Sequence, residues 1–443
     1  MKPNAPIVAN GNHFQQDRKF TLHTFTKRHG AVALSLAALL ALAGCASTGE
    51  AEEHEDHEGH DHGNHAGEAT EVGGSQPRLV VTYDGGVKVV DAASLEVLAD
   101  IPLEGYNRIS PAGDGRHVLI STAGGWQLLD TGTWTEAHGD HGHSYVTEPW
   151  LTDVVIQAEM PGHVVNHAGT TTLFDDGTGR VQVFETSGWA DAAASGEAAA
   201  IREYQTEEAH HGVAVPTEAG LFVTVGNEES RSGAAIVDDD GNVIAETDTC
   251  PGIHGETTYG DGDVLAGCEN GVLMQHGDHF HHVAAPDDFG RIGNAFAAEG
   301  SAIVLTDYKT DSEGGIELSQ IALVNTESEE IQVVDAEATY TWRGLARGAN
   351  GSALLLSTDG VLRVIDADTG EVLNEIEAID SWTPPEEWQG DHPALTELDG
   401  FAYVTDPATG SIVVIDYVSG EIVKDVAIDT SINEIVIADA AMR

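Results

Sequence analysis

Cysteine is scarce in this 443-residue chain, which has only Cys45, Cys250 and Cys268. None stands in a Cys-x-x-Cys or Cys-x-x-Cys-His spacing, which speaks against a dithiol redox motif or covalently attached haem. Basic residues are short relative to acids, 19 Lys plus Arg against 74 Asp plus Glu, for a formal charge of −55. Such a field repels nucleic acid and anionic lipid and gathers divalent cations, so nucleic-acid binding is excluded. The apolar run from Ala31 to Leu42 is too short to span a membrane. Beyond Pro77 few segments carry a helical pattern.

The apolar run follows Lys27 and Arg28 and ends in Leu42-Ala43-Gly44-Cys45. This resembles a bacterial lipoprotein signal spanning residues 1–44, with Cys45 as the lipid-modified first residue of the mature chain. The expectation is an extracytoplasmic protein held at the cell membrane only by lipid. Removing residues 1–44 leaves 14 basic and 73 acidic residues, a formal charge of −59. In an oxidising compartment Cys250 and Cys268 read as a disulfide.

Histidine is what the chain has in excess, 22 residues against 19 Lys plus Arg. His54, His57, His60, His62 and His65 lie in one acidic run, His138, His141 and His143 beside Asp140 in a second cluster, and His276, His279, His281 and His282 in a third. Neutral imidazole is the commonest protein ligand for zinc, and carboxylates can add oxygen ligands. Residues 45–76 are nearly devoid of large apolar side chains, so they read as a flexible tether.

From residue 77 to 443, short Val, Ile and Leu runs recur between Asp-Gly and Thr-Gly turns. The clearest copies are Val361 to Asp366 with Thr369-Gly-Glu-Val-Leu373, and Ile412 to Asp416 with Ser419-Gly-Glu-Ile-Val423. Weaker copies bring the count to eight at a spacing of about 46 residues, the length of a four-stranded propeller blade. The expected fold is therefore all-β, an eight-bladed β-propeller. The C-terminal Ile435 to Ala438 supplies the inner strand of the first blade, closing the ring and removing open sheet edges.

In a propeller, the segment leading into each inner strand lies at one mouth of the central channel. Counting back eight or nine residues from the turn glycines Gly400, Gly262 and Gly220 gives His392, His254 and His211. The third blade offers His163 or His167, while the second and seventh place Asn107 and Arg343 there. Three imidazoles from adjacent blades make a zinc site with one position open, and Asp391 could orient His392 or ligate. The 138–143 cluster reads as a mobile metal-capturing loop on the same face. The third cluster falls on the outer hairpin of the fifth blade, remote from the channel, where metal binding is adventitious.

His138-Gly-Asp-His-Gly-His143, His210-His-Gly-Val-Ala-Val-Pro216 and Cys250-Pro-Gly-Ile-His-Gly-Glu256 with the later Cys268 resemble the AztD-type periplasmic zinc chaperones. The resemblance covers about residues 77–440. It implies a propeller that carries Zn2+ at the channel mouth on His163 or His167, His211 (with His210 beside it) and His254. It further implies that the ion is handed to the solute-binding protein of a zinc ABC importer, with the histidines at 54–65 and 138–143 capturing or passing it on; a monomer is expected. A non-enzymatic role is expected. The alternatives are a lactonase-like, metal-dependent hydrolase with Glu256 as general base, and a surface scaffold whose histidines buffer metal.

Overall fold

The repeated Asp-x-x-Thr/Ser-Gly segments set the strand spacing by a local mechanism. Asp366 Oδ1 accepts the backbone N–H groups of Asp368 and Thr369 and the Thr369 hydroxyl, and Asp416 Oδ1 accepts those of Val418 and Ser419. The following Gly370 and Gly420 take φ of 76° and 78°, a left-handed conformation that glycine adopts without penalty. Each turn delivers the chain into the next antiparallel strand. Val361–Ile365 thus pairs with Val372–Glu377, and Ser411–Asp416 with Glu421–Ala427.

The structure, a computed structural model, describes residues 67–139 and 141–440, all within the compact unit His60–Arg443. The lipoprotein signal, Cys45, the histidines from 54 to 65 and Asp140 lie outside the described residues. The fold is almost entirely antiparallel β and propeller-like, with six four-stranded sheets, one seven-stranded sheet and one three-stranded sheet. In the seven-stranded sheet the long strand Glu330–Arg347 pairs through its first half with Leu318–Asn325 and through its second with Ala353–Ser357. Ile435–Ala438 pairs with Arg78–Tyr83, so the last strand of the described chain joins the sheet of its second strand.

The core lies between sheets. Val80, Val87 and Val89 of one sheet pack on Ile109, Val118, Ile120 and Leu129 of the next; comparable apolar clusters join the other four-stranded sheets and the seven-stranded sheet in series, and one more lies within the seven-stranded sheet. The only α-helix among the described residues, Trp189–Ser195, packs on the cluster containing Leu173 and Phe184. No helix among them is long and apolar enough to cross a membrane.

Two segments differ from the sequence expectation. Residues 133 to 146 form a hairpin, Thr133–His138 against His141–Val146, rather than a mobile loop. The β-branched and aromatic residues Thr133, Trp134, Thr135, Tyr145 and Val146 favour strand pairing, the Thr135 and Ser144 hydroxyls meet at 3.0 Å, and the Trp134 and Tyr145 rings stack. Its third strand, Thr70–Val72, comes from the end of the acidic run taken as tether. Moreover, the hairpin leaves from the Asp130 and Trp150 ends of its parent sheet. Those ends lie opposite to the ends at which the inner strands begin, so the hairpin is not on the face expected for it.

Candidate metal centre

Three consecutive sheets each direct one imidazole to a common point. His163 lies near the start of the inner strand Pro161–His167, His211 in the segment before Ala214–Thr217, and His254 opens His254–Tyr259. Both strands that carry a ligand are irregular there. Pairing shifts register between Pro161 and Val164, and again between His254 and Glu256, where Gly255 has φ of 64°. Such bulges re-aim side chains. A Cβ on Gly255 would stand 2.2 Å from the Gly293 carbonyl oxygen, so that backbone contact requires glycine.

His211 Nε2 lies 3.3 Å from His163 Nε2 and 3.0 Å from His254 Nε2, and the three ring centroids are 4.9 to 5.0 Å apart. Tetrahedral ligands at 2.0 to 2.1 Å from zinc would be separated by about 3.3 Å. The far nitrogen of each ring is engaged. His211 Nδ1 donates to Asp176 Oδ2 at 2.5 Å, His254 Nδ1 donates to the Gly293 carbonyl at 2.6 Å, and His163 Nδ1 faces Glu256 Oε2 at 3.4 Å. A proton on each Nδ1 leaves a lone pair on each Nε2. Three lone pairs aimed at one point repel one another, and a cation placed there converts the repulsion into ligation.

Burial, reinforced by the neighbouring His163 and His211 rings, holds the His254 imidazolium pKa well below its usual value. The ring therefore stays neutral and able to ligate in mild acid. His211 is the most open of the three, with 44 % of its side chain exposed against 20 % for His163. Glu256, weighed above as a general base, is instead turned toward His163 Nδ1.

The remaining sequence candidates lie elsewhere. His167 ends the strand Pro161–His167, at the end away from His163, with its Nε2 against Gly262. His210 is buried and spends both ring nitrogens on the Glu208 carbonyl and on Thr224. His392 is 1 % exposed, donates from Nδ1 to the Gly390 carbonyl and stacks on Trp382. Burial first, and then the Arg343 guanidinium, lower its pKa to about 4. Asp391 accepts the Ser431 hydroxyl at 2.6 Å. Counting along the repeat places His211 and His254 in this group, whereas Asp176, just after the strand Thr170–Asp175, and Gly293 carry no sequence signal of their own.

At the opposite end, His138, His141 and His143 form a second group able to hold a cation. Their centroids lie 5.0 to 5.5 Å apart, and His143 Nδ1 meets Glu71 Oε1 at 2.6 Å. A strand of six residues spans about 20 Å, so roughly that distance at least separates the two groups. The disulfide between Cys250 and Cys268 is present and ties the segment before His254 to the neighbouring strand.

Fold and site together define an all-β, propeller-like protein with a three-imidazole group able to hold a cation. Among characterised proteins, the chain resembles the zinc chaperone AztD of Citrobacter koseri, with 25 % identity over 356 residues, 77 % of this chain and 81 % of that one. A crystal structure of C. koseri AztD shares the fold, with a TM-score of 0.71 at 23 % identity over 82 % of this chain and 98 % of that one. The apo form of that protein gives 0.69 at 22 % identity over the same shares. The dihydro-heme d1 dehydrogenase NirN is similar in fold alone, with a TM-score of 0.52 at 11 % identity over 82 % of this chain and 75 % of that one. No family model matches the chain.

Proposed function

We propose that this protein is an extracytoplasmic zinc metallochaperone, not an enzyme, which binds Zn2+ on His163, His211 and His254 and delivers it to the solute-binding protein of a zinc ABC importer. The observation that carries this reading is the convergence of three Nε2 atoms whose Nδ1 partners are already engaged. Three protein ligands leave a fourth coordination position through which a recipient's ligand can enter. Release then proceeds by stepwise exchange, beginning at the exposed His211, without free aqueous zinc. The resemblance to a zinc chaperone supports the same cargo.

The frame for this site is an eight-bladed propeller in which the seven-stranded sheet counts as two blades. The apolar clusters that join neighbouring sheets in a closed series support that count. The mature chain is monomeric and attached by lipid at Cys45. The hairpin histidines serve as a separate collecting site at the far end of the channel. The histidines from 54 to 65 capture the ion or pass it on.

The test is direct transfer. Zinc-loaded protein is mixed with a candidate solute-binding protein from the same cell in the presence of a competing chelator, and zinc on the recipient is measured. A chaperone loads the recipient faster than the chelator strips the donor, and the His211→Ala, His254→Ala double variant transfers nothing. Loading no faster than that from free buffered zinc would reduce the protein to a metal buffer.

A further inference from the structure

In four of the sheets the strand after the inner strand carries a small hydroxyl residue that caps the segment leading into that inner strand, while in the sheet of His163 the turn-forming Asp175 accepts the Glu159 and Met160 N–H groups. Thr82 Oγ1 accepts the Glu434 N–H at 3.0 Å, Ser121 Oγ that of Arg108 at 2.8 Å, Thr224 Oγ1 that of Val213 at 3.0 Å and Thr405 Oγ1 that of Ala394 at 2.8 Å. One hydroxyl suffices where one N–H needs a partner. At the corresponding place in the strand Ile303–Tyr308 stands a carboxylate, Asp307, 6 % exposed. Burying an ionised carboxylate is costly unless several donors compensate it, so this substitution of acid for hydroxyl needs a reason.

The reason lies in what the capped segment does. Asp307 accepts the Gly293 N–H at 2.5 Å, the Asn294 N–H at 3.1 Å and the Asn294 Nδ2–H at 2.7 Å, while its own N–H donates to the Asn294 carbonyl. Gly293, clamped in this way, turns its carbonyl to His254 Nδ1. His211 and His163 each have a carboxylate at Nδ1, but His254 has only a neutral carbonyl. A neutral acceptor fixes a ring only if it is itself fixed, and the glycine that bears it has no side chain to anchor it.

We propose that Asp307 is a positioning residue of the metal centre, which acts through the Gly293 carbonyl to hold the proton on His254 Nδ1 and aim the Nε2 lone pair at the cation. Asp307 touches neither His254 nor the cation. The proposal rests on the zinc reading of the triad but makes a separate claim about the zinc-free protein. Without the Asp307 carboxylate the 293–294 turn keeps its backbone bond from the Asp307 N–H to the Asn294 carbonyl but loses the three bonds that fix the Gly293 peptide, and His254 then samples both tautomers and other ring orientations.

The test compares Asp307→Ala, Asp307→Asn and Leu305→Ala in the mature full chain. Leu305, on the same strand, is fully buried in the apolar core and serves as a destabilised control with the clamp intact. Nitrogen-15 NMR of labelled histidines in the zinc-free protein reads the His254 tautomer, assigned by its loss in His254→Ala, and zinc affinity is measured by chelator competition. Wild type and Leu305→Ala should show the Nδ1–H form and equal affinity. Asp307→Ala should show mixed tautomers and about 10- to 100-fold weaker zinc binding, the usual cost of losing an outer partner, and Asp307→Asn a smaller change in both. Should Asp307→Ala not fold, Asp307→Asn carries the comparison. An unchanged tautomer and affinity in the folded variants, or equal losses in Leu305→Ala, would overturn the proposal. If His254→Ala itself leaves zinc binding intact, the triad reading fails, and the tautomer comparison still decides the role of Asp307.

Discussion

The Asp176 carboxylate accepts the Nδ1 proton of His211 at 2.5 Å and so leaves His211 Nε2 directed at His163 and His254. Asp176 also accepts the Gly212 N–H at 3.3 Å, tying the ligand's ring and its backbone to one group. Asp176→Ala should lower zinc affinity by about 10- to 100-fold with little change in thermal stability, since the site lies at the surface end of the channel. Chelator competition alongside thermal unfolding checks this. Unchanged affinity would show that the contact does not orient the ligand.

The hairpin and channel groups should bind independently. Replacing His138, His141 and His143 by alanine should leave the tight site unchanged and remove only a weaker, faster-exchanging one, because about 20 Å or more separates them. Stepwise zinc titration of the triple variant reads this. Loss of the tight site in that variant would mean that the two groups cooperate.

A buried charge cluster below the hairpin makes stability depend on pH. His117 is fully buried, with Asp114 Oδ2 at 2.5 Å from Nδ1 and Asp130 Oδ2 at 3.6 Å from Nε2. Burial opposes its charge, but the two carboxylates win and raise its pKa to about 9. A folded-state pKa above the unfolded value near 6.5 gives stability that is complete below pH 6.5 and is lost as pH rises through 9. Relative to His117→Gln, wild type should lose up to about 1.4 kcal/mol per pH unit in that window. Denaturant unfolding at pH 6, 8 and 9.5 measures it, and a constant difference between the two proteins would contradict it.

The disulfide closes a loop of 18 residues. Replacing both Cys250 and Cys268 by alanine should cost roughly 3 kcal/mol in the chain-entropy model. It should also weaken zinc binding, because Cys250 lies four residues before His254. A stability loss with zinc affinity intact would separate the two effects.

Much of the fold is legible in the sequence because its signals are local. The Asp-x-x-Ser/Thr-Gly turns fix strand ends by hydrogen bonds within three residues, and the placement of Ile435–Ala438 beside Arg78–Tyr83 follows from the leftover strand at the C-terminus. The histidines divide less cleanly. His163 and His167 are separated only by which end of one strand each occupies, and the bulges that aim His163 and His254 arise from pairing with a neighbouring strand. His392 occupies the expected repeat position, but Trp382 and Arg343 enclose it. The face of the 138–143 hairpin depends on strand direction, which the repeat count alone does not track. Asp176 and Asp307 carry no histidine-like signal and are evident only from three-dimensional contacts.

The most direct measurement of the central claim is zinc titration, with a competing chelator, of the mature protein, of a form lacking residues 46–66, and of the His211→Ala, His254→Ala double variant. The account predicts one tight site that survives removal of the N-terminal histidines and loses more affinity in the double variant than the 10- to 100-fold expected from an outer partner. Tight binding that vanishes with residues 46–66, or persists in the double variant, would contradict it.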